Sequence, residues 1–157
     1  MKFLLSVLFI AFACQMNAQI SFNTGDADLD ADLNVINTSA KTDLTAFKTD
    51  LMNTFGVTSK NIDYMVSINM EPGEMFLALE ISVAVNKPIE EVIDVYEQNR
   101  DKGWGYIAQQ MGIKPGSPEF HALKEKSKTK KDNTSKTNNG GNSDNNNGKG
   151  NTSKKKK

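Results

Sequence analysis

The residue best suited to acid–base or metal chemistry is His121, the only histidine among 157 residues. Its nearest carboxylate along the chain is Glu119, and side chains two positions apart do not share a helix face. A zinc site would need further ligands at helical spacing, such as a second histidine four residues away, and none exists. The only cysteine is Cys14, so a nucleophilic triad has little to be built from. We therefore predict that the protein is not an enzyme and carries no metal or cofactor.

Two groups of carboxylates could serve as metal or acid–base sites, but both suit a helix surface better. The run 26–30, DADLD, resembles the first half of a calcium loop, in which alternate carboxylates supply oxygen ligands. It has Ala31 where that loop needs glycine and Asn37 where it needs a bidentate glutamate. Acids at a helix start are favoured by the positive end of the helix dipole. The acids within residues 90–97 fall on the solvated face of a predicted helix, which gives no reason for an acid–base pair.

The single tryptophan, Trp104, lies between Gly103 and Gly105 and has two interpretations. Flanking glycines would let a sugar or peptide approach the indole, which could then act as a stacking platform. The same glycines also break a helix and let a tryptophan pack in the core, which is the interpretation that we favour. Trp104 is therefore a candidate ligand or partner contact, with a core position as the alternative.

The element that carries Trp104 is a short helix, indicated by apolar residues at helical spacing: Trp104, Ile107, Ala108 and Met111. Gly112 follows where a left-handed cap would end this helix. After a turn, Ser117 is placed to cap a second helix and Pro118 suits its first position. The sequence therefore predicts a helix, a rigid turn and a helix within residues 104–124.

This arrangement also raises the hypothesis of a DNA-binding helix-turn-helix, because Ala108 and Gly112 stand four residues apart as in that motif. The turn is longer than is usual there, and the domain is acidic where phosphate contacts require Lys and Arg. Nucleic-acid binding through residues 104–124 is therefore the alternative function, and DNA is not the partner that we expect.

The first half of the domain shows apolar residues at steps of three and four: Leu29, Leu33, Ile36, Ala40, Leu44, Phe47, Leu51 and Phe55. The polar triplet 37–39 is a candidate interruption of this helical stripe. Gly56 ends it, and Thr58 or Ser59 is placed to cap a short helix. The apolar face of that short helix consists of Ile62, Met65 and Val66.

Residues 75–85 are ambiguous, because their leucine, isoleucine and valine residues alternate with smaller or polar ones, as in a strand. Pro72 just inside a start and the Pro88 that follows also suit a central helix buried nearly all round. We predict the helix, since a lone strand would have no partner. A further helix begins at Pro88 and carries Ile89, Val92, Ile93 and Tyr96 on one face.

These patterns predict an all-α fold, a small bundle of about five helices. The predicted helical domain spans 26–124 and follows a short linker at 19–25. A signal peptide is predicted at 1–18, because Lys2 precedes an apolar run too short to cross a bilayer. We expect cleavage after Ala18, a secreted or periplasmic protein and no transmembrane segment. Lipid attachment at Cys14 is the alternative.

The C-terminal segment 125–157 consists of Lys, Asn, Gly, Ser, Thr and a few acids, with no aliphatic or aromatic residue, which predicts disorder. From Lys124 to the end there are 11 lysines against 3 acids, a net charge of +8. Residues 19–123 have 7 basic and 16 acidic residues, a net of −9. This asymmetry indicates that the segment contacts a polyanion or folds back on its own domain, although a merely solubilising segment would look the same. The candidate contacts are Lys154, Lys155, Lys156 and Lys157.

The run 103–124, GWGYIAQQMGIKPGSPEFHALK, resembles the C-terminal signature of a group of small exported bacterial proteins with no known activity. The likeness extends more weakly back to about residue 28. The resemblance implies a helical fold and export, and it brings no ligand or catalytic residue. We expect an exported, non-enzymatic binding or envelope-associated protein whose partner is an unidentified protein or cell-envelope component.

Overall fold

The structure, a computed structural model, describes residues 21–139, and the secondary structure within them is entirely helical. Seven α-helices follow one another: α1 (Ala27–Ala40), α2 (Leu44–Phe55), α3 (Ser59–Ser67), α4 (Pro72–Val85), α5 (Ile89–Asn99), α6 (Trp104–Gln110) and α7 (Pro118–Asn139). A short 3-10 turn, Arg100–Lys102, joins α5 to α6. The all-α prediction is confirmed for these residues, whereas the count of about five helices is too low.

The long apolar stripe of the first half forms two helices, and this is one reason for the higher count. The break does not fall at the polar triplet 37–39, which lies inside α1. It falls just before Asp43, whose Oδ1 accepts a hydrogen bond from the Ala46 N–H at 2.9 Å and so caps α2. Asn37 tolerates its helical position because its buried Oδ1 accepts a bond from the Gly73 N–H at 3.4 Å.

The ambiguous stretch is the central helix α4, as predicted. Every residue from 72 to 81 except Glu74 is buried, because α1, α2, α5 and α7 all pack around this helix. A helix buried nearly all round has no polar face, so its sequence lacks the usual helical periodicity. Pro72 occupies its first position, and the Glu71 N–H donates to Glu74 Oε2 at 2.8 Å.

The predicted linker at 19–25 is wrong for the residues that the structure describes, because Phe22 is a core residue with 1% of its surface exposed. The segment lies along the start of α6, where the Trp104 N–H donates to the Phe22 carbonyl and the Gly105 N–H to the Asn23 carbonyl, both at 2.9 Å. A Cβ at Gly105 would lie 2.7 Å from the Thr24 carbonyl oxygen. Because the glycines beside Trp104 have no side chain, the N-terminal segment of the same chain can pack directly against them.

The predicted turn before the last helix is confirmed. Gly112 has a φ of 98°, in the left-handed region. The Phe120 N–H donates to Ser117 Oγ at 3.2 Å, and α7 begins at the next residue, Pro118.

Helix α7 continues to Asn139, so the prediction that disorder begins at residue 125 is wrong for residues 125–139. Leu123 and Ser127 are buried where α7 packs on α1 and α4. Residues 140–157, with the four terminal lysines, lie outside the described residues, as do the predicted signal peptide and Cys14.

Candidate functional site

Trp104 is buried, with 2% of its surface exposed, and the structure does not present it as a stacking platform. Its ring stacks on Tyr96 with the centroids 5.2 Å apart, and its Nε1 donates to Glu74 Oε1 at 3.2 Å. Tyr96 donates its hydroxyl to the other oxygen of Glu74 at 3.1 Å. Burial, followed by the charge of Glu74, raises the pKa of Tyr96 to about 12. The group therefore joins α4, α5 and α6, with its polar atoms already engaged.

The other sequence candidates for metal or acid–base chemistry occupy separate places. His121 is exposed in the first turn of α7. Asp26 caps α1 by accepting from the Leu29 N–H at 2.9 Å, and it pairs with Lys124 at 2.7 Å. That hydrogen bond from Lys124 is the main reason why the pKa of Asp26 lies below its usual value. Across residues 21–139, no group of three or more His, Cys, Asp or Glu side chains could hold a metal ion.

The lysines of α7 fall into two sets, and the first faces the domain. These inner lysines are Lys124, Lys130 and Lys131. Lys124 pairs with Asp26 and Lys131 pairs with Asp32, both on or beside α1, with Nζ–Oδ distances of 2.7 and 2.5 Å. Lys130 pairs with Asp50 on α2. These hydrogen bonds raise the pKa of Lys124 and Lys131. Part of the basic segment therefore folds back on its acidic domain.

The second set, the outer lysines, consists of Lys126, Lys128 and Lys136. All three are exposed, and none forms an ion pair with a described residue. They lie on the helix that leads directly into residues 140–157, which contain 5 further lysines and 1 acid. The exposed cationic surface of the domain is thus continuous in sequence with its most basic segment.

The hypothesis of a DNA-reading helix within residues 104–124 finds no support in this geometry. Helix α6 packs mainly on α5, whereas α7 packs on α1 and α4. Leu123 is buried in that contact, and Lys124 is paired with Asp26. A recognition helix must expose base-contacting side chains on a face that no other helix covers, and it needs unpaired basic residues nearby for phosphate contacts.

A cleft of about 450 Å³ lies between α2 and the distal half of α7, with the end of α1 and part of α4 as its floor. The buried Glu80 lines it, together with three phenylalanines: Phe47, Phe55 and Phe76. This site is not among those predicted from the sequence. The available signal was Glu80, which lies in the middle of the apolar run of α4, four residues after Phe76 and therefore on the same helix face.

In the part of the chain that the structure covers, no helix has both the length and the apolar character that crossing a bilayer requires. Comparison with known proteins finds no matching family model, no similar curated protein and no similar solved structure. The similarity to exported bacterial proteins therefore stays a prediction from the sequence.

Proposed function

We propose that this is an exported, non-enzymatic binding protein of the periplasm or cell exterior, whose lysine-rich C-terminal region contacts an anionic envelope surface. The observation that carries the proposal is the set of outer lysines on α7, which are exposed and unpaired while the inner lysines are held by aspartates. Anchoring of α7 through its inner face leaves the outer face free for a partner.

The charge distribution supports a binding role for this region. Residues 21–139 contain 13 Lys and Arg against 18 Asp and Glu, a net of −5. Residues 140–157 contain 5 Lys against 1 Asp, a net of +4. An anionic surface would therefore repel most of the domain and attract α7 and the residues after it, which orients the protein. Each lysine held near an anionic bilayer contributes about 1 kcal/mol, so the outer and terminal lysines together are sufficient for binding at low salt.

The absence of an enzymatic role is part of the same proposal. The side chains that could do acid–base work are separated, since His121 lies on α7 while Tyr96 and Glu74 form a hydrogen bond between α5 and α4. A general acid or base must reach its substrate directly or through one water. Tyr96 is buried with its hydroxyl engaged, and this supports a structural role.

Binding to phosphatidylglycerol-containing vesicles tests the proposal, with neutral phosphatidylcholine vesicles as the reference. Replacement of Lys126, Lys128 and Lys136 by glutamine is expected to weaken binding at low salt by at least about tenfold, because three surface charges are lost. The matched control replaces three exposed lysines elsewhere on the domain, none of them in an ion pair with a described residue, by glutamine: Lys60, Lys102 and Lys114.

The control variant should bind as the unmodified protein does, and binding of both should fall with rising ionic strength. Equal weakening by the two triple variants would show that only net charge matters. Binding that is unchanged in the α7 variant would refute a role for the outer lysines.

A further inference from the structure

The cleft between α2 and α7 has the size and lining of a small-molecule site. Its volume of about 450 Å³ falls within the range of roughly 300–1,000 Å³ that is usual for ligand pockets. Its apolar lining comes mainly from three rings, of which Phe55 and Phe76 make an edge-to-face contact at 6.1 Å. Polar side chains surround these rings, and five of them are charged: Asp43, Asp50, Glu80, Lys126 and Lys130. Charged groups beside an apolar surface can orient a small ligand.

The rings of the cleft already hold a cation. The Lys130 ammonium group lies 5.2 Å from the centroid of Phe47 and 6.0 Å from that of Phe76. The face of an aromatic ring is negative, so it attracts an ammonium group placed within about 6 Å. The same Lys130 pairs with Asp50 at the rim. Helix α7 thus inserts an intramolecular ammonium group into the cleft.

Glu80 is the group that this arrangement leaves without a partner. It lines the cleft with 9% of its surface exposed, and it forms no hydrogen bond or ion pair with any residue of the described chain. Burial raises its pKa, and the charges of Lys126 and Lys130 oppose that shift. Its oxygens still reach the open cleft, since Ser127 Oγ is the one polar side-chain atom of the described residues that is fully buried without a hydrogen bond. A ligand that fills the cleft and donates to Glu80 would give this carboxylate a charge-assisted hydrogen bond.

The other carboxylates of the cleft are engaged. Asp43 accepts the capping bond from the Ala46 N–H, and Asp50 accepts the ion pair from Lys130. The charge that remains available for a ligand is therefore the carboxylate of Glu80, beside rings that favour cations.

We propose that this cleft binds a small organic cation, a primary amine on a short aromatic or aliphatic body. Its ammonium group would pair with Glu80, and its body would rest on Phe47 and Phe76. Lys130 is then an intramolecular competitor, because its ammonium group occupies the ring faces when the cleft is empty. This site does not depend on polyanion binding, and of the outer lysines only Lys126 also lines the cleft.

Titration of the full protein with phenethylamine, followed by isothermal calorimetry and by NMR shifts, tests the proposal. The expected result is saturable binding, with phenethyl alcohol at least about tenfold weaker because it has no charge to pair with Glu80. Absence of binding, or equal binding of the alcohol, overturns the proposal.

Two variants with matched controls locate the site. Glu80→Gln keeps the shape of the side chain and is expected to weaken phenethylamine binding by at least about tenfold. Its control, Glu125→Gln, removes an exposed carboxylate of α7 and should change nothing. Retained affinity in Glu80→Gln overturns the assignment.

Lys130→Met keeps the aliphatic stem and removes the competing ammonium group, so it should bind phenethylamine more tightly, by several-fold. Its control is Lys128→Met, at an exposed position outside the cleft. Weaker or unchanged binding in Lys130→Met contradicts the competitor role. The gain expected from this variant keeps the proposal testable even if Glu80→Gln folds poorly.

Discussion

At the scale of single residues, the molecule contains one tryptophan whose indole N–H is hydrogen-bonded and one buried glutamate whose carboxylate oxygens are not. Trp104 donates to Glu74 and stacks on Tyr96, so its role is structural. Glu80, on α4, has 9% of its surface exposed and forms no hydrogen bond or ion pair with a described residue. Natural cores rarely leave a buried carboxyl uncompensated, because its desolvation is costly. The contrast separates a residue that stabilises the fold from one that costs stability.

The raised pKa of Glu80 predicts a pH-dependent effect of Glu80→Gln on stability. A carboxyl whose folded-state pKa exceeds its usual 4.5 binds its proton more tightly in the folded state, so stability falls as pH rises through that range. At pH 7 we expect Glu80→Gln to raise the free energy of unfolding by at most about 1 kcal/mol, because the charges of Lys126 and Lys130 offset part of the cost of burial. The difference in the free energy of unfolding between the two proteins should shrink towards zero below the usual pKa of a glutamate, where the Glu80 carboxyl is protonated.

Urea denaturation of the two proteins at pH 7 and near pH 4 measures this difference. Glu125→Gln serves as the control, because that carboxylate is exposed and should show neither effect. A destabilising Glu80→Gln at pH 7 would mean that the ionised carboxylate has a stabilising partner after all.

At the scale of secondary-structure elements, α7 consists of two unlike halves. Its first turns hold Phe120 and Leu123 against the bundle, and Leu123 is its last aliphatic or aromatic residue. Its distal half is held by lysine stems and by the ion pairs of Lys130 and Lys131. Long charged side chains can cover apolar surface in this way while their heads remain near water. A prediction made from the composition of residues 125–139 therefore underestimates how well they pack on the domain.

Two truncations test the contribution of the distal half of α7. A chain that ends at Asn139 should melt at the same temperature as the full protein, because α7 is retained. A chain that ends at Lys124 uncovers Phe47 and Phe76 and loses two ion pairs. We expect it to lose roughly 2 kcal/mol, or about 5–15 °C in melting temperature.

Thermal unfolding followed by circular dichroism is the measurement for both chains. Equal melting temperatures would contradict the packing of residues 125–139 on the domain. A loss that is already present in the chain ending at Asn139 would instead assign the stabilisation to residues 140–157.

At the scale of the whole molecule, charge is separated along the chain and partly neutralised in space. The acidic N-terminal residues Asp26 and Asp32 and the basic α7 are distant in sequence, yet they form one interface. Export would deliver this arrangement to a compartment where anionic envelope surfaces are available. The two proposals therefore concern different parts of α7, the exposed lysines for a polyanion and the inner cleft for an amine, and Lys126 is the residue that belongs to both.

Export predicts the N-terminus of the mature chain. If the signal peptide is cleaved after Ala18, the protein recovered from the periplasm or medium begins at Gln19. Intact mass and N-terminal sequencing of protein from fractionated cells check this. A chain that begins at Met1 in the cytoplasm would refute export, and a lipid-modified Cys14 at the N-terminus would favour membrane anchoring.

The sequence by itself determined the local features of the fold. Ser117 caps α7 as predicted, and of the two residues predicted to cap α3 it is Thr58 that does so. Gly56 and Gly112 adopt the left-handed conformation after α2 and α6. Each of these depends on a few neighbouring residues, so spacing and residue type suffice. The all-α class follows from the same signals, and the helical choice for α4 follows from Pro72 and from the lack of a partner strand.

Only the tertiary structure decided what the helices bring together. Lys124 meets Asp26 across 98 residues, and Lys131 meets Asp32 across 99. The cleft joins rings of α2 and α4 to lysines of α7. Helical periodicity shows which residues share a face but not which face another helix will cover. For that reason the partners of Trp104, whose core position was the favoured prediction, the packing of Phe22 and the position of Glu80 in the cleft could be seen only once the helices were placed against one another.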